Sequence, residues 1–296
     1  MVDVSIIIVN YNTYNVTKEC IDSIFQNTHA IKYEIILVDN NSQDESFALF
    51  SKDKRIVYLY QDKNWGFGKA NNIGYNHSKG KYIFLLNSDT LLKSNAVKEF
   101  YDYMEGVSKE YACVGTYLQD LNGDYIHSYG KFPSIWKIGL GYFSIIGDIY
   151  LSLKRKTIVK KTPLNLEVDY ITGADLFIRK EVSDKLGLFD SDFFMYFEET
   201  EMQFRYRKHG YKSILYSQPK IIHLENYSMN NAYKKKTLKK KSILLLSYFT
   251  YLKKCNTIYK YYVYRIIFSL IVPFYIFHPS YSFKDKFEYI KKAYIL

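Results

Sequence analysis

The chain has 296 residues, 48% of them hydrophobic and 18% aromatic, with 14 glycines and 5 prolines. That composition can bury a sizeable core, which excludes a dominantly disordered chain and any collagen-like or proline-rich tract. A formal charge of +11 points first to nucleic acid, but residues 227–296 hold 14 Lys/Arg against 2 Asp/Glu, whereas residues 1–226 hold 27 against 28. The body is electrically balanced, and the excess belongs to the last 70 residues.

In chain order, Val4–Asn10 is a β-branched apolar run with no basic segment before it, so it reads as a buried strand rather than a signal peptide. Residues 17–26 then place Cys20, Ile21, Ile24 and Phe25 at helical spacing. Further strands are predicted at 34–39, 56–60 and 81–86, and helices at 44–52, 68–77 and 96–109. Strands alternating with helices imply βαβ units and a mostly parallel sheet, with ligands at the carboxyl ends of its strands. The cysteines Cys20, Cys113 and Cys255 are odd in number, far apart and without CxxC spacing, which fits a reducing compartment rather than a disulfide framework or zinc site.

Each strand runs into polar residues: Asn10-Tyr11-Asn12, Asp39-Asn40-Asn41-Ser42, Asn64-Trp65-Gly66-Phe67-Gly68 with Asn71, and Asn87-Ser88-Asp89-Thr90. One such residue alone reads as a helix cap, but four polar ends converging on one rim describe a pocket. Asp89 is expected in an open loop, where Asn87 and Asp89 could approach a hard divalent cation that completes its shell with phosphate oxygens and water. The glycines Gly66 and Gly68 open a helix whose N-terminus suits an anion. Neither the dinucleotide fingerprint nor the P-loop is supported, since Asn71 stands at the third glycine position and Tyr82 follows Gly80-Lys81.

Downstream, an aromatic run leads into Glu198, Glu199 and Glu201. Read blandly, these acids favour a helix dipole; read chemically, crowding beside an apolar wall raises a carboxyl into the range of a general base. His223 follows a short strand at 220–222, and is either a core histidine or, if the fold brings it to Asp89, a metal ligand.

The ordered set 4–12, 38–42, 64–68, 86–90, Thr172-Gly173-Ala174 and 197–201 resembles family 2 glycosyltransferases, most of all the bacterial rhamnosyltransferase-like branch, over about residues 3–226. The resemblance implies an α/β GT-A fold, with a catalytic domain at 1–226 (a nucleotide-sugar half at 1–115, an acceptor and catalytic half at 116–226). It implies inverting transfer from a nucleotide-sugar, with dTDP-rhamnose favoured and a UDP-hexose as alternative, to a lipid-linked or growing glycan. Asn10, Asn12, Asp39, Asn41, Asn64, Gly66, Gly68, Asn71, Asn87, Ser88 and Asp89 are then donor-side residues. Asp89 and His223 fall on the ligand positions for Mg²⁺ or Mn²⁺, the family's first metal-motif aspartate being replaced by Asn87. The family's base position falls on Glu199, with Glu198 as the alternative because glutamates stand where the family has aspartates. These substitutions also admit a catalytically inactive sugar-nucleotide or glycan-binding protein.

Residues 125–163 break the βα rhythm and are expected on the acceptor side, where Trp136 is a sugar-stacking face or a core residue; Gly173, Asp175 and Glu201 join it as acceptor-side candidates. The tail contains 12 Tyr and 6 Phe among its basic residues, and Leu238, Leu245 and Leu252 recur at seven-residue spacing. It reads as helices at an anionic membrane surface, which the resemblance implies is the cytoplasmic face, with packing against the catalytic body as the alternative. The apolar run 262–277 carries Arg265 and Pro273 and falls short of the roughly 20 residues of a spanning helix. No nucleic-acid module accompanies the charge, and a homodimer is among the assemblies this reading allows.

Overall fold

The structure is a computed structural model that describes residues 2–133, 164–224, 238–278 and 281–295. Trp136, the basic run at 154–156 and the first lysine triplet of the tail lie outside the described residues.

The strands and helices predicted from periodicity are present with shifted ends: β1 Val4–Asn10, α1 Tyr14–Asn27, β2 Tyr33–Asp39, α2 Ser46–Phe50, β3 Val57–Tyr60, α3 Phe67–Asn76, β4 Tyr82–Asn87, a short β5 Thr90–Leu92, and α4 Ala96–Gly106. They are followed by β6 Tyr111–Gly115, β7 Tyr129–Gly130, β8 Leu166–Val168, β9 Tyr170–Ile171, β10 Asp175–Arg179, α5 Lys180–Leu186, α6 Glu198–Lys208, β11 Lys212–Leu215 and β12 Ile221–His223. An eight-stranded sheet has the order β3-β2-β1-β4-β10-β6-β11-β8. The strands β3, β2, β1 and β4 are parallel, and β10 enters antiparallel between β4 and β6.

Strand alternation decides which layer each residue joins. Val4, Ile6 and Ile8 of β1 pack with Cys20, Ile21 and Ile24 of α1 and Phe100 and Met104 of α4. Ile7 turns to the other face, with Ala70 of α3, Val182 of α5 and Met202 and Tyr206 of α6. A sheet covered on both faces explains why β1, β2 and β4 are near-continuous apolar runs. The register aligns their ends, since Asn10 pairs with Asp39 and Val9 with Asn87. Because β10 is antiparallel and starts with Asp175 opposite Leu86, its entry through Gly173-Ala174 lies at this same rim.

Beyond the sheet come α7 Leu238–Cys255, α8 Ile258–Ile271, a 3₁₀ turn Val272–Phe277, and α9 Phe283–Ile295. The α-helix gives way to 3₁₀ geometry where Pro273 removes a backbone donor. Leu238, Leu245 and Leu252, at seven-residue spacing, share α7 and are all buried, which is the packing the sequence left as the alternative to a membrane-facing surface. They form a third core with Tyr248, Phe249, Tyr251, Tyr264, Phe268, Tyr275 and Tyr289, and Phe193 from the sheet-bearing region joins it.

Candidate functional site

The rim is organised by short polar side chains that bind the loops to one another. Asn10 is fully buried, donating to Ser42 Oγ at 3.0 Å and Ser46 Oγ at 2.8 Å while accepting from the Thr13 and Thr17 hydroxyls. It thereby ties the loop after β1 to the loop after β2. Asn12 adopts a φ of 55°; its N–H donates to Ser42 Oγ and its carbonyl oxygen Oδ1 accepts from the Gln43 N–H. Asp39, also fully buried, accepts from the Ser42 N–H at 2.8 Å and the Tyr58 hydroxyl at 2.6 Å. Burial and the Asp39 carboxylate together raise the Tyr58 phenol, so it stays a donor.

Next to Asp39, Asn40 is buried and Asn41 is not. Asn40 donates to Asn64 Oδ1 and the Gly66 carbonyl and accepts from the Trp65 N–H, so it shapes the glycine turn. Asn64 Oδ1 in turn accepts from the Gly66 N–H. Gly66 has a φ of +82°, and a Cβ there would stand 2.2 Å from the Phe194 carbonyl oxygen, so the turn requires glycine. The Phe67 N–H, at the start of α3, donates to that same carbonyl at 2.8 Å. Thus one donor at the glycine-opened helix end is taken by the segment preceding α6. A second tie is reciprocal: Asn72 donates to the Phe189 carbonyl at 2.7 Å and accepts from the Phe189 N–H at 3.1 Å. Asn71, one residue earlier, is buried and donates back to the Phe67 carbonyl. Gly68 lies 3.6 Å, by its added Cβ, from the Glu198 Cβ.

Asp89 follows β4 and Ser88, and differs from the open-loop expectation by being 8% exposed. The cause is β12, which pairs antiparallel with β5 so that His223 lies opposite Thr90 and the Leu224 N–H donates to the Asp89 carbonyl. His223 Nε2 stands 3.1 Å from Asp89 Oδ1. The buried atoms His223 Nδ1 and Asn87 Oδ1 have no hydrogen-bond partner among the described residues.

Across the rim, α6 begins at Glu198 after two consecutive left-handed residues, Tyr196 (φ 71°) and Phe197 (φ 68°). Bulky aromatics rarely adopt this conformation, and such strain persists only where surrounding packing enforces it. Glu198 is 3% exposed, its Oε2 has no partner among the described residues, and burial beside the Glu199 charge raises its carboxyl well above the usual range. Glu199 is half-buried; loss of solvation lifts its carboxyl to about 7, against the lowering pull of the Glu199 and Thr200 N–H groups. A Cβ added at Gly173 would stand 4.0 Å from the Glu199 Cβ and 3.3 Å from the Phe67 ring, and the Ala174 carbonyl accepts from the Asn87 N–H. The 173–174 turn is therefore the bridge between the Glu199 side and the Asp89 side.

Two other acids have different surroundings. Glu201 is paired bidentately with Arg205, both contacts at 3.0 Å, and Arg205 also donates to the Leu186, Gly187 and Leu188 carbonyls. Asp175 is fully buried in β10, accepts from the Thr116 N–H at 2.6 Å, and is raised well above the carboxylate range by that burial. Sequence reasoning placed Asn40 on the rim without a role and missed Asn72 and Gln203. The last bonds both backbone groups of Ile171, the Ser213 hydroxyl and the Glu199 carbonyl, fixing α6 to β9 and β11. These are contacts between distant segments, which no local spacing announces.

A family description, glycosyl transferase family 2, matches residues 5–187. The chain belongs to this family. This family 2 member is 33% identical over 106 residues to glycosyltransferase GlyG of Streptococcus pneumoniae serotype 4, spanning 34% of the chain and 35% of GlyG. It is 26% identical over 211 residues to the low-salt glycan biosynthesis hexosyltransferase Agl10 of Haloferax volcanii, spanning 70% and 62%. Less than two thirds of either relative's length is therefore matched. GalNAc-T7, crystallised with UDP, GalNAc and Mn²⁺, superimposes on 100% of this chain and 54% of its own, with a TM-score of 0.64 at 16% identity. S. aureus TarS 1–349 superimposes on 99% and 70%, with a TM-score of 0.53 at 12% identity. At such identities the likeness is one of fold, and that fold is GT-A.

The family resemblance implies a divalent cation, and the residues fit one. Asp89 supplies a carboxylate and His223 an imidazole at its side, with the buried, unpartnered Asn87 oxygen two residues away. No group of three or more His, Cys, Asp or Glu side chains gathers among the described residues, so Asp89 and His223 would be the side chains to hold such an ion.

Proposed function

We propose that the protein is an inverting glycosyltransferase whose base is Glu199. The observation that carries this reading is the half-buried Glu199 carboxyl, tuned to about 7 and joined through the 173–174 turn to the Asp89–His223 pair. Asp89 and His223 would hold the divalent ion; when bound, that ion supplies positive charge against the departing diphosphate. Glu199 accepts the proton of an acceptor hydroxyl as that oxygen attacks the anomeric carbon from the face opposite the leaving group. Glu198, kept neutral by burial, adds no competing negative charge. The buried Asp39 and the Asn40-shaped turn position the donor's nucleoside and diphosphate.

The donor of first choice is dTDP-rhamnose, on the sequence resemblance, with a UDP-hexose as the alternative that the UDP in GalNAc-T7 supports. The acceptor is a hydroxyl of a lipid-linked or growing glycan at the inner face of the plasma membrane. Exposed Ile258, Tyr262, Ile266, Leu270 and Phe274 supply the membrane contact, forming an apolar ladder at four-residue spacing. The stretch Ile258–Phe277 is long and apolar enough to cross a bilayer by length and composition. Its other face is packed through Tyr261, Tyr264 and Phe268, so we place it along the surface rather than across it. Residues 1–226 form the catalytic domain in this reading, and 227–296 the membrane-facing extension.

A thermal-shift panel of nucleoside diphosphates and nucleotide-sugars, with and without Mn²⁺, tests the donor site. The expected result is a Mn²⁺-dependent rise in melting temperature with one nucleoside diphosphate. No shift with any nucleotide would remove the reading.

A further inference from the structure

A hydrogen bond, two ring contacts, two ion pairs and a buried phenylalanine join the tail to the segment that delivers the base. The Ser247 hydroxyl donates to the Met195 carbonyl at 2.7 Å. The Phe197 ring lies 5.6 Å from Tyr248 and 5.7 Å from Tyr251. Lys254 pairs with both Asp190 and Asp192 at 2.7 Å. Phe193 is fully buried in the core that the tail helices form. Together these span the segment 190–197, from the Phe189 clamp on α3 to the two left-handed residues before α6.

A strained aromatic pair does not hold itself in place. Left-handed Tyr196 and Phe197 need the Met195 carbonyl fixed on one side and the Phe197 ring fixed on the other, and α7 supplies both. We infer that α7 is a positioning element of the catalytic centre, with Ser247, Tyr251 and Lys254 setting where Glu199 points and how dry its surroundings are. The basic, aromatic tail is then a wall of the active-site scaffold as well as a surface. This rests on Glu199 being the base. The titratable groups beside that carboxyl are Glu198 on its own helix and Tyr196 on the preceding loop, whose phenol burial raises to about 12; Lys240 lies 5.9 Å over the Tyr196 ring.

The test uses the full chain carrying Ser247→Ala with Lys254→Met, and Lys254→Met alone as a variant that disturbs no buried packing. The Glu199 carboxyl is titrated by ¹³C NMR without substrate, assigned by its loss in Glu199→Gln, and kcat and KM are measured in parallel. In the double variant the carboxyl is expected to titrate at least half a unit lower, because the loosened loop admits water. The expected kcat is at least tenfold lower, with donor KM within about twofold, and the conservative pair Ser247→Thr with Lys254→Arg restores both. Lys254→Met alone shifts the titration in the same direction by less. An unmoved titration in both variants overturns the inference, whether or not the melting temperature falls, because lost stability alone would not spare the carboxyl's surroundings. Since the titration needs no turnover, a protein inactive on every donor counts against the proposed function and leaves this readout decisive for the inference.

Discussion

At the scale of single residues, the site rests on carboxyls that the fold treats differently. Glu199→Gln keeps shape and removes basicity, so kcat is expected to fall by roughly 10²- to 10⁴-fold with nucleotide affinity unchanged, by calorimetry. Glu198→Gln imitates the neutral state that burial imposes, so transfer by this variant should stay close to wild type in a donor-turnover assay. Activity should rise with pH along a limb centred near 7, because the base must lose its proton. Stability runs the other way. The folded Glu199 holds its proton up to about 7, whereas the unfolded side chain loses it near the ordinary value of 4.5. Its contribution is therefore complete below 4.5 and lost as pH rises through 7, on the order of 3 kcal/mol. Urea titrations at pH 4 and pH 8 should show a smaller pH dependence for Glu199→Gln than for wild type. The crowding of acids at the start of α6 was legible in the sequence. The split between them was not, because it follows from how deeply the fold buries each carboxyl.

At the scale of elements, β1, β2, β4, α1 and α3 could be read directly because hydrophobic period and β-branching speak within one segment. The rim was legible too, as polar residues at strand ends. What joins these pieces was not: β12 reaching β5, Asn72 reaching Phe189, and Gln203 reaching Ile171 are pairings between distant segments. The β12–β5 ladder makes His223 a partner of Asp89, so His223→Ala or Asp89→Ala should abolish the Mn²⁺ enhancement of nucleotide affinity by calorimetry while the metal-free affinity stays the same. The glycine turn gives a second prediction. Gly66→Ala combines a left-handed backbone with a 2.2 Å clash and should cost about 2 kcal/mol or more in urea unfolding, along with activity. Gly123→Ala, at a φ of +83° with nothing within 4 Å of its Cβ, should cost less and leave turnover unchanged. Glu201→Ala should lower the melting temperature rather than raise acceptor KM, since it removes the counter-charge of Arg205; three carbonyl acceptors remain to Arg205, so about 2 kcal/mol is expected.

At the scale of the whole molecule, the tail that holds the sequence's charge excess has two faces that composition alone blends together. Its inward face packs with Phe193, Phe197 and Phe204 of the sheet-bearing region, and its outward face carries the apolar ladder of α8. Deleting residues 227–296 would therefore uncover an aromatic core as well as remove the proposed membrane contact. The membrane proposal is better examined by Ile266→Asp with Leu270→Asp, both exposed, which should lower retention on anionic liposomes severalfold in a flotation assay and leave the melting temperature unchanged. Retention equal to wild type would assign the ladder to something other than lipid.

The proposed sugar-transfer centre has Glu199 as its base. The most direct test is nucleoside diphosphate release from the donor selected by thermal shift, measured with Mn²⁺ for wild type and Glu199→Gln across pH 5 to 9. With Glu199 as the base, wild-type release should rise along a limb near pH 7, and release from Glu199→Gln should be at least about a hundredfold lower at every pH despite equal donor binding. Equal release from the two proteins would contradict it.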